Sequence, residues 1–226
     1  ADIIIYAGSL VNPGLLEYAS QGCEIHNSAS MTLEEVIEVM KRGESAGKAV
    51  VRLHTGDPSI YGAIREQIDM LEALKIDYKV CPGVSSFCGA AAALGAEYTL
   101  PGVSQSVILT RMEGRTPVPP KEEISLMAAH QATMVIFLSS GMLEQLSERP
   151  IEGGYTTDTK AAIVYKATWD DEKVVRTTVG NLAQAAREHN ISKTALITVG
   201  EFLGNQYERS LLYDPGFTHE FREASR

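Results

Sequence analysis

The residues best placed to do chemistry in this chain are Gly56-Asp57-Pro58. A buried-strand pattern of Ala49, Val50, Val51 and Leu53 runs straight into this tight turn. Asp57 is a good helix N-cap, and Pro58 suits the first helical position, where its missing N–H costs nothing. Ile60, Ile64, Ile68 and Leu71 then recur at three- and four-residue spacing, which predicts an amphipathic helix over 60–74. A strand feeding a helix through a glycine-containing turn exposes backbone N–H groups at its carboxyl end. Open α/β sheets bind ligands there. Many α/β proteins use the same triplet only as turn and cap, and the residues alone leave that alternative open.

Other predicted strand ends share this small, polar character. Pro82-Gly83-Val84-Ser85-Ser86 follows a strand predicted at Tyr78–Cys81 and precedes a helix at Phe87–Leu94. The hydroxyls and backbone donors of Ser85 and Ser86 can face a ligand, whereas Gly89 to Ala93 reads as close helix–sheet packing. Ser139-Ser140-Gly141 follows a strand at Thr133–Leu138, and Lys166-Ala167-Thr168 follows one at Ala161–Tyr165. Such junctions in both halves of the chain suggest a cleft for one flat, polar ligand. Arg111 and Arg115 border a Pro-rich stretch ending at Pro120. They are either solvated surface or a pair able to hold substrate carboxylates.

No nucleophile set accompanies these junctions. The sequence lacks G-x-S-x-G, H-E-x-x-H, G-x-x-x-x-G-K-[ST] and G-x-G-x-x-G. Asp57 could serve as acid or base as well as cap, so the catalytic residue stays unassigned. His26, His54, His130, His189 and His219 are scattered. Cys23, Cys81 and Cys88 show no C-x-x-C spacing, so no metal site is expected and the thiols read as reduced and cytoplasmic.

The elements that must position these residues alternate strand and helix, an α/β pattern. In the first half, separation by helices predicts a parallel sheet. In the second, Val174–Val179 follows Ala161–Tyr165 through Trp169-Asp170-Asp171-Glu172-Lys173, which predicts an antiparallel component and a mixed sheet. Two α/β domains result, residues 1–102 and 103–226. The 226 residues are 44% hydrophobic and 22% charged, a globular composition. A net charge of −9 excludes nucleic acid and anionic membranes as natural partners. No apolar run of about 18 residues is present to span a membrane. The opening Ala1 to Tyr6 reads as a buried strand rather than a signal peptide.

Taken together, these segments resemble the tetrapyrrole (corrin/porphyrin) methyltransferases that use S-adenosylmethionine. The resemblance covers nearly the whole chain. It is carried by Tyr6-Ala7-Gly8-Ser9-Leu10-Val11, Leu53-His54-Thr55-Gly56-Asp57-Pro58 with Tyr61-Gly62, and Pro82 to Ser86. Further on it rests on Leu109-Thr110-Arg111, Gly114-Arg115-Thr116-Pro117-Val118-Pro119, Phe137 to Ser140 and Val164 to Trp169. The first and the Gly-Arg-Thr-Pro-Val-Pro segments point to the branch that methylates C11 of precorrin-4 or cobalt-precorrin-4.

The resemblance implies a cytoplasmic homodimer of two-domain chains, with the cofactor in the interdomain cleft and S-adenosylhomocysteine as product. By position, it places cofactor contacts on Gly56, Asp57, Ile60, Ser85, Ser86, Leu138, Ala167, Thr194 and Ala195. Family members carry a further strand, a Gly/Pro-rich loop and a helix ahead of the position of Ala1, so this sequence is read either as a fragment of its gene product or as a chain from which that segment was lost or removed. Three alternatives stay open. They are methylation of another precorrin position or of uroporphyrinogen, a nicotinamide-dependent oxidoreductase, and a tetrapyrrole carrier without turnover.

Overall fold

The computed structural model describes residues 1–225, Ser9 through its backbone alone. It divides into two compact units, Ala1–Cys88 and Gly89–Arg226. In the first, β1 (Ile3–Tyr6) lies between β2 (Glu24–Asn27) and β3 (Val50–Leu53), and all three strands are parallel. Parallel strands need a crossover, and α1 (Leu33–Ser45) carries the chain from β2 to β3 on the other side of β1. A capping box starts that helix. Thr32 Oγ1 accepts from Glu35 N–H, and Glu35 Oε2 accepts from Thr32 N–H at 2.7 Å. Val36, Ile37 and Met40 then meet Ile3 and Ile5 in the core. Gly43 lets helix and sheet close up, since a Cβ there would stand 2.4 Å from Val50 Cγ2.

The predicted helix over 60–74 is shorter than its periodicity suggests. Tyr61 and Ala63 have φ of +55° and +48°, which a right-handed helix cannot continue, and α2 spans Arg65–Leu74. Asp57 is therefore not a helix cap. Tyr78–Cys81, predicted as a strand, has no paired neighbour among the described residues. A cavity of about 650 Å³ is lined by this run, by β3 and by Ile64, Gln67 and Ile68.

His54, just past β3, also lines that cavity. Burial, reinforced by the charge of Arg52, pushes its imidazole from 6.5 down to about 4. The unfolded chain therefore binds a proton that the folded chain refuses. The stabilisation is complete above about pH 6.5 and is lost as pH falls toward 4. Glu24, held down to about 2 by Arg42 and then His26, loses its contribution only below pH 4.5. The melting temperature should thus drop between pH 7 and pH 5, and His54→Gln should flatten that slope. An unchanged slope in the variant would reject the assignment.

In the second unit the strand order is β4-β5-β8-β6-β7. These are β4 (Val107–Arg111), β5 (Thr133–Phe137), β6 (Lys160–Tyr165), β7 (Lys173–Thr178) and β8 (Ala195–Val199). The pair β4–β5 is parallel and every other pair is antiparallel, the mixed sheet the sequence implies. Met134, Ile136, Ile163 and Ile197 are fully buried, and α5 (Leu143–Glu152) and α6 (Leu182–Glu188) contribute Leu146 and Leu182 to the same core.

The boundary between units falls inside helix α3 (Ser86–Leu94). The cause is how the later part of α3 is held. A Cβ at Gly89 would lie 3.5 Å from Ala167 Cβ and from Thr168 Cγ2, and Arg176 Nη2 donates to the Leu94 carbonyl at 2.7 Å. No helix of the described residues is long and apolar enough to cross a membrane.

Candidate functional site

In the first unit the loops after β3 and before α3 are locked face to face. Asp57 Oδ1 accepts from the Ser59 N–H at 2.9 Å and from the Ser59 hydroxyl, while Oδ2 accepts from the Gly83 N–H at 2.8 Å. These bonds, that of the Ser59 hydroxyl foremost, hold the carboxyl below the usual carboxylate range. Asp57 thus ties two loops together and stays ionised, which removes it as a proton donor at neutral pH.

The glycines explain how the loops come so close. A Cβ at Gly83 would stand 2.1 Å from the Gly56 carbonyl oxygen. Gly56 has φ of +60°, and a Cβ there would meet Ser85 Cα at 3.2 Å and Ser86 N at 3.3 Å. Ile60 belongs to the same turn, its N–H donating to the Asp57 carbonyl at 3.2 Å. Gly56, Asp57, Ile60, Ser85 and Ser86 are therefore brought together. Ser85 is buried, and Ser86 is exposed at the start of α3, a helix with no acidic residue in its first turn.

In the second unit, register gathers another set at one end of the sheet. Ile136 lies opposite Ile197, so Leu138, the residue after β5, comes level with Ala195, where β8 begins. Ala195 pairs with Tyr165, and the Lys166 N–H donates to the Thr194 carbonyl at 2.9 Å. Leu138, Ala167, Thr194 and Ala195 are thereby neighbours around three strand ends. Backbone strain concentrates here. Leu138, Lys166, Thr168 and Thr194 have φ of +53°, +46°, +72° and +56°. Each such conformation costs a non-glycine residue of order 1–3 kcal/mol. Leu138 nevertheless leaves 59% of its surface exposed.

The bend at Ala167 is braced by its flanks. Lys166 Nζ lies 2.6 Å from Asp171 Oδ2, 4.9 Å from the centre of the Trp169 ring and 5.1 Å from that of Tyr165. The hydrogen bond to Asp171, followed by the one to Tyr165, raises the ammonium pKa, so the lysine is a permanent cation. The Thr168 N–H donates to Glu172 Oε2 at 2.7 Å.

β4 ends at the same edge, with Arg111 paired to Phe137. The Arg111 guanidinium donates to the carbonyls of Met112, Thr116 and Pro117 at 3.2, 3.2 and 2.6 Å. Three of the five guanidinium donors are thus taken up by the loop that Arg111 starts. Arg115 is exposed within that loop.

Two residues of the small polar junctions carry roles that the sequence did not assign to them. Gly83 is one, and its signal was the glycine directly before Val84-Ser85-Ser86. Buried Ser139 is the other. Its hydroxyl donates to the Phe137 carbonyl at 2.7 Å and accepts from the Met112 N–H at 3.0 Å, a link that no local pattern announces. Among the described residues no group of His, Cys, Asp and Glu could hold a metal ion.

Comparison with known proteins identifies relatives of this chain. The family described as Tetrapyrrole (Corrin/Porphyrin) Methylases matches residues 1–183. A Methanocaldococcus jannaschii protein named cobalt-precorrin-4 C(11)-methyltransferase is 55% identical over 100% of this chain and 88% of its own length. The X-ray structure of a cobalt precorrin-4 methyltransferase from cobalamin biosynthesis superposes with a TM-score of 0.88 at 46% identity, covering 91% of this chain and 86% of that one. A uroporphyrin-III C-methyl transferase from Thermus thermophilus, complexed with S-adenyl homocysteine, shares the fold at a TM-score of 0.73 and 21% identity, covering 90% and 87%. The chain belongs to the tetrapyrrole (corrin/porphyrin) methylase family.

Proposed function

We propose that this protein transfers a methyl group from S-adenosylmethionine to C11 of precorrin-4 or cobalt-precorrin-4. The observation that carries the reading is 55% identity, along the whole chain, to a protein named for that reaction. Gly56, Asp57, Ile60, Ser85 and Ser86 of the first unit, with Leu138, Ala167, Thr194 and Ala195 of the second, are the residues we assign to the cofactor. The loops suit it. Close glycine contacts hold the first set in shape, and the second set carries left-handed backbone at Leu138 and Thr194. When bound, the cofactor supplies a methyl group already activated on a sulfonium.

The chain then needs no nucleophile of its own. Its residues bind and orient, and holding two reactants in register can lower a barrier by about 7–11 kcal/mol. Arg115 supplies positive charge for a polycarboxylate substrate on a protein whose net charge is −9. We place the enzyme in the cytoplasm, which suits the free thiols of Cys23, Cys81 and Cys88. We also assign it a homodimeric state. Exposed Leu211, Leu212 and Tyr213 are apolar surface that such an assembly would cover.

Calorimetry with S-adenosylhomocysteine, followed by turnover of precorrin-4 and cobalt-precorrin-4 with NMR of the product, tests the proposal. Saturable binding and one new methyl on C11 are expected. Absence of binding would favour a carrier, and a methyl on another carbon would favour a different branch of the family.

A further inference from the structure

We infer that Arg111 and Arg115 divide the work of the Pro-rich arm between them. Arg111 is a positioning residue that folds the arm, and Arg115 is the residue that meets a substrate carboxylate. The inference rests on the proposed methyl transfer to a polycarboxylate macrocycle and adds the source of its substrate contact.

The arm runs from Met112 to Pro119 and is poor in internal bonding. Pro117 and Pro119 have no N–H to give. Between Met112 and Val118 the described residues make one backbone–backbone bond, from the Gly114 N–H to the Thr116 carbonyl at 3.3 Å. A segment of this kind does not hold a shape by itself. Arg111 supplies what is missing. A guanidinium carries five donors in a planar fork, and here it reaches the carbonyls one, five and six residues further along. The span brackets Arg115.

The root of the arm is fixed separately. The buried Ser139 hydroxyl holds the Met112 N–H, so the arm leaves from the sheet end that also carries Leu138. A Cβ on Gly114 would sit 3.3 Å from Met142 Cε, so the end of the Met142 side chain lies against the arm. Arg115 follows directly on this fixed stretch. Its side chain is exposed, with exposed Glu113 as the nearest charge in sequence. A lysine at 111 would keep the charge but not the fork, because an ammonium donates from a single point.

The test uses the whole chain with Arg111→Lys, Arg111→Gln, Arg115→Ala and Arg115→Lys. Without any ligand, trypsin should cut the Arg115–Thr116 bond about tenfold faster in both Arg111 variants, the opening expected from losing one or more hydrogen bonds of about 1.4 kcal/mol. With precorrin-4 as substrate, Arg115→Ala should raise KM about tenfold, more than it lowers kcat, as expected for removal of one charge-assisted hydrogen bond. Arg115→Lys should restore most of that loss. Arg111→Lys should raise KM despite retaining its charge. Affinity for S-adenosylhomocysteine should stay within about twofold throughout.

Wild-type cleavage rates in both Arg111 variants would overturn the positioning role. A wild-type KM in Arg115→Ala would overturn the substrate role of Arg115. Loss of S-adenosylhomocysteine binding in both Arg111 variants would show that Arg111 supports the whole unit rather than the arm. If the wild-type chain methylates no tetrapyrrole, the proposed function fails, and the ligand-free cleavage still decides the role of Arg111.

Discussion

Replacing Gly83 with alanine should weaken S-adenosylhomocysteine binding on the order of 100-fold, about 2.7 kcal/mol. The added Cβ would lie 2.1 Å from the Gly56 carbonyl oxygen and 3.0 Å from its carbon. Both are backbone atoms, so no side chain can swing aside. The loops must separate, and the Asp57–Gly83 hydrogen bond of 2.8 Å is the first to break. Breaking it also frees the Ser85–Ser86 backbone that packs on Gly56. Overpacking of this sort costs folding about 1–3 kcal/mol besides.

Gly89→Ala is the matched control, because its new methyl would meet Ala167 and Thr168 at an ordinary 3.5 Å. Calorimetry on the two variants decides the matter. Gly83→Ala binding within threefold of wild type (about 0.7 kcal/mol) would show that this close approach of the loops does not shape the cofactor site.

Ile197→Ala should destabilise the second unit by about 2–5 kcal/mol, the range for deleting most of a buried aliphatic side chain. Ile197 is fully buried at the middle of β8, opposite Ile136 on one side and Ile163 on the other. Its neighbours are spread over three strands and cannot all collapse into the space left behind, so most of the cavity cost should persist. Hydrogen exchange of the amides of β5, β6 and β8 in the wild type and variant gives the number directly. A loss below about 1 kcal/mol would mean that the sheet repacks around the deletion.

The sequence was most readable where burial is continuous. All five residues of β5 are buried, and so are four of the six in β6. Those strands and the antiparallel return through β7 follow directly from hydrophobic runs and the polar turn between them. β2 was invisible for the opposite reason. Glu24-Ile25-His26-Asn27 has one apolar residue and sits at a sheet edge, with no residue fully buried. α4 (Ile124–Ala128) is too short to show a helical period.

The loop after β3 misled because Asp-Pro is an ideal start for a helix, and local preference cannot reveal that Tyr61 and Ala63 turn left-handed. Within the site, the small-residue junctions were legible, since glycine and serine betray close approach and capping. What Asp57, Arg111 and Ser139 do was not. Each bonds to a group whose position depends on tertiary path, and one of the two arginines read as a pair turned inward to its own loop.

The outer margin of β3 pairs with nothing among the described residues, and Val51 on that strand is 42% exposed. Main-chain donors and acceptors left open beside aliphatic side chains make a berth for one more strand in the ladder. Tyr78 and Val80, which border the adjoining hollow, show apolar surface to the same space.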